Sequence, residues 1–137
     1  MITERTLTLE EAEKVLQVFF EALAKKATSP PIAVAIVGSS GTLICLKTMD
    51  GTKKVSPLLA LAKAYTAVKV EIDTATLFAK GRNAQDFTDP WITCLPGGVP
   101  IFFGDEVIGG VGVSGATPEQ DNELANLCLE GLSLELS

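Results

Sequence analysis

The chain is 137 residues long, and a hydrophobic share of 47% allows it to bury a core, which predicts one domain spanning residues 1–137. Its formal net charge of −6 argues against a nucleic-acid-binding protein and against a protein of anionic membrane surfaces, because both partners attract clusters of Lys and Arg. The sequence contains no histidine, which removes the commonest general base, haem ligand and transition-metal ligand.

The cysteines and the hydropathy pattern predict a cytoplasmic protein. Cys45, Cys94 and Cys128 are odd in number and form no Cys-x-x-Cys pair, which favours free thiols in a reducing compartment. No run reaches the roughly 18 apolar residues of a membrane span, and the first residues lack the apolar segment of a signal peptide.

The first predicted element is an amphipathic helix that opens with a capping box of Thr8 and Glu11 and runs to about Ala27. Apolar residues recur along it at spacings of three and four, which is typical of a helix that lies on a sheet. This apolar face consists of Leu9, Ala12, Leu16, Phe19 and Leu23. Two apolar segments, residues 32–37 and 42–48, then predict a hairpin of two strands.

Two further helices are predicted in the middle of the chain. The longer one has Ser56 as its N-cap and Pro57 in its first turn. Its expected apolar face consists of Leu58, Leu61, Ala62, Tyr65 and Val68. Asp73 is expected to cap a shorter helix, residues 74–80, which Gly81 closes.

The last part of the chain contains three strand candidates and a final helix. Residues 91–95 follow a polar, irregular segment, and residues 99–103 and 107–113 form a second hairpin. A capping box of Thr117 and Gln120 opens the final helix. Because strands and helices do not alternate regularly, the chain is predicted to be an α+β fold, an antiparallel sheet with helices packed on it.

Three glycines, Gly109, Gly110 and Gly112, lie inside the last predicted strand. Glycine weakens a strand, since it has no side chain to pack and loses more entropy when it is ordered. We therefore expect these positions to admit the close approach of another backbone, a helix or a ligand.

Four segments carry a resemblance to a known family: Pro-Gly-Gly-Val-Pro at 96–100, Gly-Val-Gly-Val-Ser-Gly-Ala-Thr-Pro-Glu-Gln-Asp at 110–121, Met-Asp-Gly at 49–51 and Ala-Lys-Ala-Tyr-Thr-Ala at 62–67. Together they resemble the GlcG/HbpS family of haem-degrading or haem-binding proteins, which includes the C-terminal domain of PduO-type proteins. The resemblance implies a profilin-like (GlcG-like) five-stranded antiparallel sheet, order 2-1-5-4-3, between helical layers. It also implies homo-oligomers, from dimers up to octamers.

The turn of Pro96, Gly97 and Gly98 is the first candidate ligand-binding site. Its glycines could present backbone N–H groups to an anionic or carbonyl group of a ligand. The alternative is a turn that needs glycine only because its backbone takes positive φ. The resemblance implies a pocket close to this turn and to the helix at 62–67.

Lys63, Tyr65, Thr66 and Lys69 form the second candidate site, since they lie three or four residues apart on one helix. In the functional interpretation a lysine attracts a carboxylate or propionate, and Tyr65 or Thr66 donates a hydrogen bond to it. In the structural interpretation these residues border an ordinary amphipathic helix, with the tyrosine hydroxyl at the surface.

Other polar residues predict neither a metal site nor a catalytic residue. Glu119 and Asp121 complement the dipole of the final helix and would repel an anion. Glu10 and Glu13 lie one turn apart and resemble an acidic pattern associated with iron in some relatives, but a solvated helix start looks the same. Cys94 precedes the turn, yet it has no histidine to activate it as a nucleophile.

Three functions stay open at this point. The favoured one is a small-ligand-binding protein for haem or a related tetrapyrrole, in which Tyr65, a cysteine, a methionine, a lysine or a threonine would replace the usual histidine, or nothing would ligate the iron. The second is an accessory protein or enzyme in the catabolism of small hydroxy acids, diols or aldehydes. The third is an oligomeric structural protein. No nucleophile–base pair is visible, so no reaction is predicted.

Overall fold

The computed structural model describes residues 5–26 and 29–136, with side chains described up to Leu132. Within these residues the chain forms four α-helices, a short 3-10 helix and four strands. In chain order the elements are α1 (Leu9–Ala24), β1 (Ala33–Gly38), β2 (Leu43–Thr48), α2 (Ser56–Val70), α3 (Thr74–Ala79), the 3-10 helix (Ala84–Asp86), β3 (Gly98–Phe103), β4 (Glu106–Ser114) and α4 (Pro118–Leu136).

The sheet is antiparallel, and its strands are ordered β2-β1-β4-β3, which confirms the predicted α+β class. The sheet has four strands in the described part of the chain, so the expectation of five was wrong. The missing strand is the one expected at residues 91–95, which would have paired with β3. Without that strand, the expected order reduces to the observed order of the remaining four.

The backbone of residues 91–95 is engaged by side chains instead of by a strand ladder. The N–H of Thr93 donates to Thr66 Oγ1 on α2 at 2.9 Å, and the N–H of Leu95 donates to Thr93 Oγ1 at 3.4 Å. In β3, Pro100 has no N–H to offer a further strand. A fifth strand at this edge would therefore lack the ladder bond from position 100.

The sheet lies between two helical layers. The larger core cluster joins Leu16 of α1 and Leu132 of α4 to Val34 of β1. The smaller cluster joins Ala64 of α2 to Ala35 of β1 on the opposite face. Because successive side chains of a strand point to opposite faces, β1 is buried along its whole length.

The predicted apolar face of α2 was wrong, since only Val68 of the five expected residues is buried and Leu58 is 63% exposed. The helix instead buries Ser56, Ala60, Lys63, Ala64, Thr66, Ala67 and Val68. A Cβ on Gly112 would lie 1.9 Å from the Ala60 carbonyl oxygen, and one on Gly110 would lie 2.6 Å from that of Ala64. The expected close approach is thus confirmed: the backbone of α2 lies directly on these glycines, and small residues face the sheet.

Both predicted capping boxes are confirmed. The box of α1 has its two reciprocal bonds, and at α4 the N–H of Gln120 donates to Thr117 Oγ1 at 3.2 Å while the N–H of Thr117 donates to Gln120 Oε1 at 3.1 Å. The cap predicted for α2 was wrong, because Ser56 is already helical and Val55 holds the N-cap position without a side-chain bond.

The helices differ from expectation in smaller ways. The predicted end of α1 at Ala27 lies outside the described residues, and α1 ends at Ala24. Leu9 was expected on the buried face of α1 but is 55% exposed, since it precedes the part of the helix that covers the sheet. Asp73 occupies the N-cap position of α3 as predicted, without a side-chain bond to the helix. No helix in the described ranges is long and apolar enough to cross a bilayer.

Candidate functional site

The turn of Pro96, Gly97 and Gly98 is buried and leads into β3. Gly97 has φ +124, and a Cβ there would lie 2.5 Å from the carbonyl oxygen of Val113, so both the backbone and the space require glycine. The N–H of Gly98 donates to Thr74 Oγ1 at 2.9 Å. The Gly98 amide is therefore engaged within the fold rather than directed at a ligand.

Beside the turn lies a buried ion pair between Lys63 of α2 and Asp121 of α4. Lys63 Nζ donates to Asp121 Oδ2 at 3.0 Å and to the carbonyl oxygen of Val113 at 2.9 Å. The other carboxylate oxygen of Asp121 accepts from the N–H of Ala116 at 2.9 Å. The pair thus ties α2, the end of β4 and the first turn of α4 together around the turn at residues 96–98.

Burial changes the chemistry of this lysine. Only 2% of Lys63 is exposed, and desolvation lowers its pKa, although the charge of Asp121 acts in the opposite direction. The ammonium is already balanced by a carboxylate, so it presents little net charge to an approaching ligand. This differs from the sequence-based interpretation, in which Lys63 attracts an anion.

A small cavity of about 190 Å³ opens next to the ion pair, and we call it the turn pocket. Its lining combines apolar wall residues with the ion pair and two serines. The walls include Leu59, Pro96, Ala116 and Pro118, and the polar lining includes Ser56, Lys63, Ser114 and Asp121. Val55 and Leu95, which also line it, are 65% and 43% exposed and form an apolar rim.

The two serines of the turn pocket are almost fully buried, at 1% exposure for Ser56 and 3% for Ser114. No hydrogen bond joins either hydroxyl to another described residue, and neither is among the fully sealed side-chain atoms without a partner, which in the described residues are Arg5 Nε and Asn122 Oδ1. Buried hydroxyls in proteins nearly always have a partner. The turn pocket therefore offers two hydroxyls whose bonding capacity the fold itself does not use.

The other candidate residues of α2 do not line the turn pocket. The hydroxyl of Tyr65 donates to the Asp89 carboxylate, a bond that raises the pKa of Tyr65 and lowers the pKa of Asp89. Lys69 Nζ lies 5.4 Å from the centre of the Tyr65 ring. Thr66 Oγ1 donates to the carbonyl oxygen of Ala62 at 2.7 Å and accepts from Thr93, so it holds the segment that precedes the turn.

Comparison with known proteins decides the family. The model of the family described as "Haem degrading protein HbpS-like" matches residues 7–130. The chain belongs to the HbpS-like family. An uncharacterised 15.0 kDa protein in the dhaT-dhaS intergenic region of Citrobacter freundii is 34% identical over 134 residues, 93% of each chain. Protein GlcG of Escherichia coli K12 is 34% identical over 117 residues, 83% of this chain and 85% of GlcG.

Two solved structures are similar to this HbpS-like chain over almost its whole length. Klebsiella pneumoniae protein ORFY has a TM-score of 0.86 and 27% identity, covering 97% of this chain and 94% of its own. A complex of the C-terminal domain of PduO with haem has a TM-score of 0.75 and 25% identity, covering 92% of this chain and 94% of its own.

This HbpS-like chain contains candidate site residues that the sequence analysis did not single out. Asp121 was assigned only to the dipole of α4, and Ser56 only to a helix cap, although both line the turn pocket. Ser114 was not singled out, because attention in the glycine-rich strand was on the glycines. The signal that could have found Asp121 is its position in the Thr117–Asp121 segment, one residue beyond the capping box, where a carboxylate can bond the backbone N–H that precedes the helix.

The remaining candidates lack the chemistry of a site. Among the described residues, no group of three or more Cys, Asp or Glu side chains could hold a metal ion. Glu10 and Glu13 line an open groove along α1 of about 910 Å³. Burial raises the pKa of Cys94, and raises that of Cys128 to about 12, so neither thiol is activated as a thiolate.

Proposed function

We propose that this chain is a small-ligand-binding protein of the GlcG/HbpS type and that the turn pocket is its own binding site. The observation that carries the proposal is a cavity at the meeting point of the Pro96–Gly98 turn, α2 and the start of α4. Pockets with apolar walls and a few convergent polar groups are the usual form of small-molecule sites. Lys63 and Pro96 keep their proposed roles as lining residues, while Tyr65, Thr66 and Lys69 support α2 and the segment before the turn.

Haem or a related tetrapyrrole is the first ligand to test, because the C-terminal domain of PduO is similar over most of this chain and was solved as a complex with haem. The turn pocket, at about 190 Å³, is smaller than the roughly 300–1,000 Å³ of sites that enclose drug-sized ligands. A tetrapyrrole is larger than the turn pocket. In this chain it would therefore lie across the mouth of the turn pocket, against the apolar rim of Val55 and Leu95.

Tyr65 and Cys94 do not fit haem as axial ligands. The hydroxyl of Tyr65 donates to Asp89, which raises the pKa of Tyr65 and disfavours the tyrosinate that iron prefers. Cys94 is 6% exposed, and its pKa is raised by burial. We propose that any haem is held by apolar contacts, without iron coordination by these two side chains.

A haemin titration followed in the Soret region, with size exclusion of the product, tests this proposal. We expect saturation at a fixed stoichiometry, and a weaker affinity in Val55→Ser because the rim loses apolar area. Val18→Ser is the matched control, since Val18 is a 53% exposed valine on α1. A signal that grows without saturation, or that is equal in both variants, would show adventitious adsorption and exclude haem at the rim.

A second candidate function is favoured by the size of the turn pocket. A cavity of about 190 Å³ suits a short hydroxy acid, diol or aldehyde better than a tetrapyrrole. This agrees with the proposed role as an accessory protein or enzyme in the catabolism of such compounds. A thermal-shift screen of these compounds, without a Soret band on addition of haemin, would favour this function over haem binding.

We also propose that the chain is cytoplasmic and forms homo-oligomers, from dimers up to octamers. Three free cysteines, at positions 45, 94 and 128, support a reducing compartment. Exposed aromatic residues support association, since Trp91, Phe102 and Phe103 are 54%, 49% and 47% exposed in the single chain. An oligomeric structural protein without a ligand is the remaining alternative, and failure of every ligand titration would favour it.

A further inference from the structure

We infer that the ligand of the turn pocket is a short, uncharged compound with carbonyl or hydroxyl groups, and that carboxylates are rejected. This inference rests on the second candidate function, whose diols and aldehydes it keeps and whose hydroxy acids it excludes, because it names the ligand class of the same site. It is carried by three features of the turn pocket: a charge-neutral ion pair, two hydroxyls that make no hydrogen bond to another described residue, and a small volume.

The ion pair argues against an anionic ligand. Lys63 Nζ and Asp121 Oδ2 are 3.0 Å apart, and their side chains are 3% and 5% exposed, so the positive charge is already matched inside the protein. A ligand carboxylate would meet Asp121 as a like charge and would lose its hydration. Lys53 also lines the turn pocket, but it is exposed to solvent, where its attraction for an anion is screened. The balance of these effects favours an uncharged ligand.

The hydrogen-bonding groups suit carbonyl and hydroxyl oxygens. An ammonium has three N–H donors, and Lys63 uses two of them, on Val113 and Asp121. Ser56 and Ser114 add two hydroxyls that can each donate and accept. A carbonyl oxygen can accept from the lysine or a serine, and a neighbouring ligand hydroxyl can bond the second serine. The bonds to the serines would satisfy hydroxyls that bond no other described residue, and a bond from Lys63 would use its third N–H.

The volume sets the length of the ligand. At roughly 30 Å³ per water molecule, a cavity of about 190 Å³ holds the equivalent of about six waters. A compound of about six non-hydrogen atoms therefore fits inside the turn pocket, and a longer one would extend from its open side. Its carbon atoms would contact Leu59, Pro96 and Pro118, and its oxygens would point to the serines and the ion pair.

The test is a titration of the full chain with four compounds of three carbons, followed by backbone amide NMR shifts. Hydroxyacetone and propane-1,2-diol are the uncharged probes, and lactate and propionate are the anionic ones. We expect saturable shifts at the amides of Ser56, Lys63 and Ser114 with the uncharged probes. We expect both anions to bind at least about tenfold more weakly, because a carboxylate is costly to bury beside Asp121. Lactate binding as tightly as hydroxyacetone would overturn the inference.

Serine variants show whether binding occurs in the turn pocket. Ser56→Ala and Ser114→Ala should each weaken the better uncharged probe by about threefold to tenfold, the loss of one neutral hydrogen bond. Ser40→Ala is the matched control, since Ser40 is an exposed serine in the β1–β2 turn, and it should leave the affinity unchanged. Unchanged affinity in both pocket variants, with melting temperatures that confirm folding, would contradict the inference.

Haemin separates failure of this inference from failure of the proposed function. If haemin saturates the protein while none of the four probes shifts the amides of the turn pocket, the chain binds a ligand but the assigned ligand class is wrong. If neither haemin nor any probe binds, both the inference and the proposed function are wrong.

Discussion

At the scale of single residues, the buried ion pair of Lys63 and Asp121 has the largest consequences. Each partner is almost fully buried, and each also bonds the backbone next to the turn or to α4. A pair of this kind adds little net stability, because desolvation offsets most of the attraction. Loss of one partner is different, since it leaves an uncompensated charge in the interior.

We expect Lys63→Met to lower the free energy of unfolding by about 3–5 kcal/mol, because Asp121 then stays buried without its partner. The double variant with Asp121→Asn should be destabilised by clearly less than the sum of the two single variants. Urea unfolding measures all three. Lys69→Met is the control, because Lys69 is an exposed lysine on the same helix. It should lower the free energy of unfolding by about 0.5 kcal/mol or less. An equal loss of unfolding free energy in both lysine variants would show that the ion pair does not account for the cost of replacing Lys63.

A second residue-scale prediction concerns Asp89, whose pKa is lowered first by the hydrogen bond from Tyr65, then by the N–H of Trp91 and least by Lys69. The pKa of Asp89 is lower in the folded protein than in the unfolded chain. Its ionised carboxylate therefore stabilises the fold at pH values above the unfolded-state pKa, and this stabilisation is lost as the pH falls through the folded-state pKa. Tyr65→Phe should raise the pKa of Asp89, measured by carboxyl carbon NMR, and Lys69→Met should raise it less. The reverse order would contradict the assignment of the Tyr65 bond.

At the scale of elements, the packing of α2 on β4 decides which residues reach the turn pocket. The backbone of α2 rests on the glycines of β4, so the helix turns Lys63 and Ser56 inward and leaves Leu58 exposed. An arrangement with large residues inward would hold the helix farther from the sheet. The glycines therefore place the ion pair beside the turn.

Gly112→Ala should be severely destabilising, because its Cβ would lie 1.9 Å from the Ala60 carbonyl oxygen and 2.7 Å from the Ala64 nitrogen, which are backbone atoms that cannot rotate away. We expect a loss of about 3 kcal/mol or more in the free energy of unfolding. Gly131→Ala is the matched control on α4, where a Cβ meets no atom within 4 Å, and it should stabilise the helix by about 0.5–1 kcal/mol. A small loss of unfolding free energy in Gly112→Ala would mean that α2 can move away from the sheet.

At the scale of the whole molecule, the sheet has helices on both faces but exposed aromatic residues beside its β3 edge. Phe102 and Phe103 end β3, the last strand of the described sheet, and both are about half exposed. Arg5 lies 4.4 Å above the ring of Phe103, so Phe102 is the less covered of the two. Exposed aromatic residues at a sheet edge favour association with a further chain.

We therefore expect the protein to be a dimer or larger, as measured by size exclusion with light scattering at micromolar concentration. Phe102→Ser should shift the distribution towards the monomer, because it removes an aromatic contact from this edge. Phe78→Ser is the control, since Phe78 is 56% exposed on α3. A monomer in the unchanged protein would contradict the prediction, and an equal effect of both variants would assign association to general surface hydrophobicity.

The sequence was sufficient for features that depend on neighbouring residues. The capping boxes of α1 and α4 join residues three apart, and the glycines of β4 predicted the close approach of another backbone, which is that of α2. The expected strand at residues 91–95 failed for a long-range reason, since Thr66 of α2 takes the N–H of Thr93 that a ladder would have used. Local propensity contains no information about such a partner.

The sequence by itself determined the α+β class, the starts of α1 and α4 and the family, because short-range bonds and motifs carry them. Only the tertiary structure brought the residues of the candidate site together. Lys63 and Asp121 are separated by 58 residues along the chain, and their contact depends on how α2 is rotated against the sheet. That rotation is set by where glycine lets two backbones meet, not by the hydrophobic pattern of the helix alone. For the same reason Ser56 and Ser114, which look ordinary in the sequence, lie together in the turn pocket.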